Sequence, residues 1–287
     1  MASGESTRIN TNIGALNALN ALKTINRVLE KSQLRLATGR RINEVADDPA
    51  GFVISTRLNA RSRGLSVAYD NVGTAKNVLA IAEGGLLNIS DILVTMKEKI
   101  TQAASDTLGS AERNAIKTEL DQLTAEINNI IDETTFNNIQ LLDGNYQNKS
   151  FQTGEDTTNV LIVNIVQSGT TSTGFGASAL EVDTANVSTL VLTAAGSSIA
   201  LSRVDNAIEV VSDGLQNIGA YISRMTVKES TLSIAIINTE ATKSRIMDAD
   251  LAKEQLNSTR SLILQQTSTA QLAQANITPQ NVLALFM

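Results

Sequence analysis

Apolar residues return every seven positions between Ile54 and Ala103. Leu58, Leu65, Val72, Leu79, Leu86, Leu93 and Ile100 make one series, and Ile54, Ala68, Ala75, Ala82, Ile89, Met96 and Ala103 interleave with it. Two apolar positions per heptad, held for about seven heptads, is the seam of a long helix packed lengthwise against others. Arg61 is the one break, and the "EGG" at 83–85 is a weak point through which the register continues. A helix of about 50 residues is roughly 75 Å long at 1.5 Å per residue. A second seam follows through Ile116, Leu120, Leu123, Ile127 and Ile130, and ends near "ETTFNN". A third runs through Leu201, Val204, Ile208, Val211, Leu215, Ile218, Ile222, Met225, Leu232 and Ile236, with Glu229 its defect. Three seams of this regularity predict a mainly α protein, a long coiled-coil helical bundle.

The pattern changes between 145 and 198. "NVLIVNIV" at 159–166 is short and β-branched, "STLVLTAA" at 188–195 resembles it, and Gly, Ser and Thr fill the gap. This predicts a small β region, a hairpin or a few strands, in preference to a flexible low-complexity insert.

The two chain ends differ from the bundle in a second way: charge drops out. Ile9, Ile13, Leu16, Leu19, Leu22 and Ile25 form an apolar stripe, and no charge occurs between Arg8 and Lys23. At the other end Leu256, Ile263, Ala270 and Ile277 step by heptads, with Thr259, Gln266 and Ala273 between them and Leu283 and Leu285 beyond. The only charge from Gln255 to Met287 is Arg260, in a chain that is 18% charged overall. Exposed helices ordinarily carry Lys and Glu on the outer face; here that face holds Gln, Asn, Ser and Thr. Such a surface can be buried without stranding a charge, provided its amides and hydroxyls find partners. Ordering about 40 residues costs on the order of 40–80 kcal/mol, and each large apolar side chain returns roughly 1.5–3 kcal/mol only when buried. Pairing the first helix with the last still leaves uncharged outer faces. Copies of the same molecule are the natural cover, so the pattern predicts self-assembly. The expected organisation is 1–43 as an N-terminal core helix, 44–145 as bundle helices, 146–197 as the small β region and polar loop, 198–243 as a further bundle helix and 244–287 as a C-terminal core helix, the two terminal helices being paired.

Composition narrows the chemistry. The chain has 287 residues and is 42% apolar, long enough for a sizeable core. It contains no Cys, no His and no Trp. That removes thiol chemistry, the commonest general base and the ligands of a zinc hydrolase, so neither a cofactor nor catalysis is expected. The net charge of −6 opposes a nucleic-acid surface. No long uninterrupted apolar run suggests membrane insertion, and the start "MASGESTRIN" lacks the basic-then-apolar layout of a secretory signal.

Several motifs resemble those of the bacterial flagellin family. They are "RINTNIGALNALNAL" at 8–22, "LATGRRINEVADDPAGFVIS" at 36–55, "FNNIQLLDG" at 136–144, "FQTG" at 151–154, "SRIMDADLAKE" at 244–254 and "ILQQTSTAQLAQANITPQNVLAL" at 263–285. They cover both ends and most of the helical interior, in the family's order. The resemblance implies a structural subunit of a hollow extracellular filament, the propeller of swimming motility. It implies terminal helices disordered in the lone subunit and paired in the filament core, and export through the flagellar secretion apparatus with an export chaperone. Partners would be other copies of the chain, the hook–filament junction proteins and the filament cap. The outer domains of larger members look missing or reduced. Pro49 stands where the family usually has a small residue.

Other residues carry alternatives. Asp47 and Asp48 before Pro49 read as a helix start, with Asp at the N-cap and Pro at the first helical position, rather than as a metal site. Arg40, Arg41 and Arg245 with Asp47, Asp48, Asp248 and Asp250 are candidates for inter-subunit bridges that set registry, or for a solvated linker; exposed pairs contribute only about 0–1 kcal/mol each. By resemblance, the face that an animal innate receptor reads would include Ile89, Thr95, Lys99, Arg113 and Glu119. Thr95 and Lys99 depart from the immune-detected pattern, which implies weak recognition at most. Sequons at Asn88, Asn148, Asn186, Asn257 and Asn276 read as chance matches, and the resemblance, to a family often O-glycosylated in its outer region, makes the hydroxyls of 168–173 the better candidates for sugar attachment. The rival readings are a junction or cap protein of the same apparatus, a carboxylate-using hydrolase or protease carried on a filament, which the absence of His opposes, and a plain coiled-coil adaptor, which leaves the charge-free ends unexplained.

Overall fold

The structure, a computed structural model, describes residues 11–167 and 173–284, with side chains as far as 277. Ile9, Leu285, the Leu283 side chain and most of the 168–173 segment lie outside the described residues. Five helices dominate: α1 (Ile13–Thr38), α2 (Pro49–Ala103), α3 (Ser110–Glu133), α4 (Ala194–Met247) and α5 (Leu251–Ala284). Among the described residues, four short strands lie between α3 and α4: β1 (Thr135–Phe136), β2 (Ile139–Gln140), β3 (Lys149–Gln152) and β4 (Val160–Val163). The chain forms two compact units, Met1–Ser62 with Asn238–Met287, and Arg63–Ile237; the boundary falls within α2 and α4.

The second unit is built on the predicted seams. From Leu65 to Ala103 every seam position of α2 is buried, as are Ile116, Leu120 and Ile127 of α3 and Val204, Val211, Ile218, Met225 and Leu232 of α4. The most apolar 18-residue window of α2 has a mean hydropathy of 1.5, enough by length and composition to cross a membrane. Its Leu79, Ala82, Leu86, Ile89 and Leu93 instead lie in the bundle core.

The defects in the seams have structural uses. Gly85, in the "EGG" stretch, is buried against Leu142 and Thr134, and a Cβ there would lie 2.8 Å and 2.7 Å from their atoms. Gly214 of α4 makes the same kind of notch for the fully buried Phe175, whose ring would lie 2.8 Å from an added Cβ. Glu229, the polar break in the third seam, meets Lys76 of α2 at 2.7 Å. Lys76 first, and the Tyr69 hydroxyl to a lesser degree, hold its carboxyl below the usual carboxylate range. Lys97 meets Asp205 at 2.7 Å further along the same two helices.

The inserted region is only partly β. Asn137 and Asn138, both in the left-handed region (φ 49° and 64°), turn the chain between β1 and β2, as a two-residue hairpin requires. β3 and β4 pair antiparallel, Lys149 opposite Val163. Alternation along β4 buries Val163 and exposes Ile162. The expectation of a second strand at 188–195 is corrected. That stretch holds a π-helical turn (Thr184–Ser188), a 3₁₀ turn (Leu190–Leu192) and the start of α4. Asp183 caps it by accepting from the Asn186 amide at 2.9 Å, and Val187 and Val191, four apart, are both buried in the core. Helical spacing of the two valines prevails over their β-branching.

Two glycines in α4 should respond oppositely to alanine. Nothing lies within 4 Å of a Cβ at Gly219, so Gly219→Ala is expected to stabilise by about 0.5–1 kcal/mol. Gly214→Ala drives a methyl into Phe175 and is expected to destabilise by about 1–3 kcal/mol. Denaturant midpoints of the two variants measure both.

Candidate functional site: the paired terminal helices

In the first unit α1 and α5 run antiparallel. Asn12 Nδ2 donates to the Ala275 carbonyl (2.8 Å), Gln265 Nε2 to Asn26 Oδ1 (2.9 Å) and Arg35 Nη1 to Glu254 Oε1 (3.1 Å). Both helices begin on capping side chains. Asn12 Oδ1 accepts from the Ala15 amide at 2.9 Å, and Asp250 Oδ1 from the Lys253 amide at 3.1 Å. α1 ends at Gly39, whose φ of 68° is the left-handed cap that glycine adopts without strain.

The face that α5 turns to α1 is small and polar. Glu254, Ser258 and Ser261 are buried, and Gln265, Ser268, Leu272 and Ala275 continue the series half-buried, in steps of four and three. Opposite them Leu29 and Ser32 are buried, with Leu22, Ile25 and Leu36 half-buried. The heptad stripe lies elsewhere. Leu256, Ile263, Ala270 and Ile277 sit two residues beyond Glu254, Ser261, Ser268 and Ala275, about 200° round the helix at 100° per residue. Leu256 is 72% exposed, Ile263 59% and Ile277 43%, and Ala270, Ala273, Thr259 and Gln266 are exposed beside them. On α1, Leu16 is exposed, while Ile13, Leu19, Leu22 and Ile25 are half-buried.

The polar seam makes the pair selective more than strong. Arg35 and Glu254 are an ion pair largely out of water, yet Arg35 Nε and Glu254 Oε2 are buried without a hydrogen-bond partner. Burying such charges offsets most of their attraction, so their contribution is to fix the register of the two helices. A cavity of about 350 Å³ opens on this flank, lined by Val28, Lys31, Arg35, Asn257, Arg260 and Leu264 among others.

The segments beyond the two helices are tied to each other. The Arg41 amide donates to the Met247 carbonyl (2.6 Å) and the Ala249 amide to the Gly39 carbonyl (2.9 Å), bridging Arg40 and Asp248. The Arg41 guanidinium donates to the Ile246 carbonyl at 2.7 Å and lies 3.5 Å from Asp48. Asp48 accepts from the Gly51 amide at 2.9 Å, and Pro49 is the first residue of α2. Asp47 accepts from the Asn43 and Glu44 amides and meets Lys31 at 2.6 Å. The Lys31 contact, then the Asn43 amide, lower its pKa to about 2. Asp47, Asp48, Arg41 and Asp250 are therefore engaged within the chain, while Arg245 and Asp248 have exposed side chains.

The residues named for a receptor face divide. Ile89 has no exposed surface, and Arg113 is buried with Nη2 donating to the Ser105 carbonyl at 2.9 Å, closing the α2–α3 loop. Neither belongs to a surface. Lys99 and Glu119 form an ion pair with each other at 2.6 Å, and Thr95 Oγ1 donates back to the Asp91 carbonyl at 3.0 Å. The sequence reading missed the α5 seam and its ion pair. The four–three spacing was there, but in Ser, Gln and Glu, where a search for apolar periodicity does not look.

Comparison with known proteins matches residues 9–147 to the bacterial flagellin N-terminal helical region and residues 201–286 to the bacterial flagellin C-terminal helical region. The flagellin of Bacillus subtilis (strain 168) is 36% identical over 97% of this chain and 99% of its own length. The flagellin of Listeria innocua is 34% identical over 95% and 97%. The flagellar filament 41 kDa core protein of Borreliella burgdorferi is 31% identical over 96% and 99%. In fold, the chain is similar to a putative flagellar hook-associated protein from Vibrio parahaemolyticus, with a TM-score of 0.59 at 14% identity, over 70% of this chain and 100% of that one.

The Asp47 contacts set a pH dependence. A carboxyl whose pKa falls from 3.8 to about 2 on folding stabilises the folded chain above the higher value, and that contribution is lost as pH falls through the lower one. Thermal midpoints are expected to drop between pH 4 and pH 2, and the drop to be shallower in Asp47→Asn, which lacks the titrating group.

Proposed function

The chain belongs to the bacterial flagellin family, and from that premise we propose that it is the repeating structural subunit of a flagellar filament, secreted and polymerised outside the cell for swimming motility. The observation that carries this reading is the position of the α5 stripe. Leu256, Ile263, Ala270 and Ile277 face away from α1, and the described residues of the first unit leave them exposed. A subunit docking at a filament end supplies the missing cover. Because the face α5 turns to α1 is mostly polar, the pair gains little by closing on itself. Growth is then conditional on docking, and the unassembled chain keeps its ends loose enough to be exported unfolded with a chaperone holding them. Contacts of one copy's outer face with another's inner or lateral face do not close on themselves, and an open heterologous contact generates a helical polymer.

The same stripe is the surface on which junction proteins at the base and a cap at the tip would dock. The long buried seams of the second unit give the stiffness a propeller needs. Recognition by an animal innate receptor would be weak, since of the candidate residues Lys99 and Glu119 are tied to each other and Ile89 and Arg113 lie inside.

Electron microscopy of purified chain added to filament seeds tests the proposal. Micrometre filaments are expected; finite rings would assign the chain to the junction or cap proteins instead, and no growth would remove the reading. Ile263→Asp is expected to raise the critical concentration for growth about 10- to 100-fold, from the roughly 1.5–3 kcal/mol of one buried aliphatic side chain. Ser212→Asp, at an exposed position of the second unit, is expected to leave it unchanged. Sedimentation of polymer from free chain measures both.

A further inference from the structure

Arg260 is the single charge from Gln255 to the end of the chain, and it stands on a stretch of α5 whose outer surface is otherwise uncharged. A cation buried without a counter-charge is strongly unfavourable, so a polymer that covers α5 must bring a carboxylate to it. We propose that the carboxylate is Glu30 of a neighbouring copy, and that this pair fixes how subunits meet side by side. The proposal rests on the reading of the chain as a self-assembling subunit.

Among the described residues of the terminal helices and their ends, the assignment follows from which acids are left. Across α1 and α5 the only acids are Glu30 and Glu254, and Glu254 is committed to Arg35. Near the ends of the pair, Asp47 is held by Lys31, Asp48 by Arg41 and the Gly51 amide, and Asp250 by the Lys253 amide. Glu44 and Asp248 lie in the connecting segments outside the paired helices. Glu30 and Arg260 are both exposed and make no ion pair among the described residues. The cations beside Glu30 do not claim it. Arg27 donates to Thr24 at 3.4 Å, and Lys23 lies two turns away on α1.

Geometry agrees with the accounting. Asn26 meets Gln265, and Arg35 meets Glu254; Glu30 lies between the first residues of these contacts and Arg260 between the second. The two charges are therefore at one height along the pair. Arg260 lines the flank cavity together with Val28, Lys31 and Arg35. Glu30 is two residues from Val28, about 200° round α1, and does not line it. Arg260 thus stands on one flank of the pair and Glu30 on the other. Two copies placed side by side at the same height bring the Arg260 flank of one against the Glu30 flank of the next. Each copy then has one unmatched flank left, so the contact repeats rather than closing.

The test uses the absence of cysteine in the chain. Glu30→Cys and Arg260→Cys chains, mixed and grown together on wild-type seeds, are treated with a short bis-maleimide and separated under denaturing conditions. A covalent dimer is expected from the mixture, and none from unpolymerised chains. Filaments that grow but yield only monomer would overturn the pairing while leaving the polymer itself intact; failure of the wild type to grow would instead fall on the assembly reading. Charge reversal gives an independent readout. Arg260→Glu and Glu30→Lys are each expected to raise the critical concentration about tenfold or more, and the two together to bring it back to within about threefold of wild type. A double variant no better than either single one, or single variants that polymerise like wild type, would also overturn it.

Discussion

A helix paired with one partner has one covered face. In α5 the covered face is the wrong one for a stable lone molecule: serines, a glutamine and a glutamate look inward, and the heptad-spaced aliphatics look out. Among the described residues, most of the aliphatic surface of α5 is therefore left uncovered by α1. The rest of the terminal unit is consistent with that arrangement. Its ties include the polar contacts of Asn12, Gln265 and Arg35 along the pair, a backbone bridge between Arg40 and Asp248, and a loop locked by Asp47 and Lys31. They hold α1 and α5 in register without burying much apolar surface.

The second unit follows the opposite logic. Its seams are apolar, buried and nearly continuous, and it satisfies itself. Its irregularities are matched across helices. Gly85 and Gly214 receive bulk from the inserted region, Leu142 and Phe175, and Glu229 receives Lys76. These notches and ion pairs give each helix one alignment against its neighbours, which a repetitive heptad alone does not. One unit is thus self-sufficient in its core and the other is not.

Much of this was legible in the sequence because it rests on periodicity. The α2 seam from Leu65 to Ala103 is buried position for position, and Asp48 and Pro49 start α2 as their chemistry dictates. Legibility failed where two signals compete over few residues. At 188–195 β-branching suggested a strand, but Val187 and Val191 are spaced for a helix and the neighbouring core takes them as one. The sequence also showed the α5 stripe without saying which way it faces. The face that α5 turns to α1 is a row of Ser and Gln around an ion pair. Arg113 and Ile89 were misplaced for a related reason: a linear motif does not report which of its side chains point inward.

Assembly through the terminal helices requires that α5 depend on neighbouring copies. Hydrogen exchange of the amides of residues 251–277, compared between dilute unassembled chain and seeded polymer, measures that directly. Exchange close to that of an unstructured chain in the free subunit, slowing by several orders of magnitude on polymerisation while the amides of α2 from Leu65 to Ala103 are protected in both, is the expected result. Slow exchange across α5 in the unassembled chain, unchanged by polymer, would contradict it.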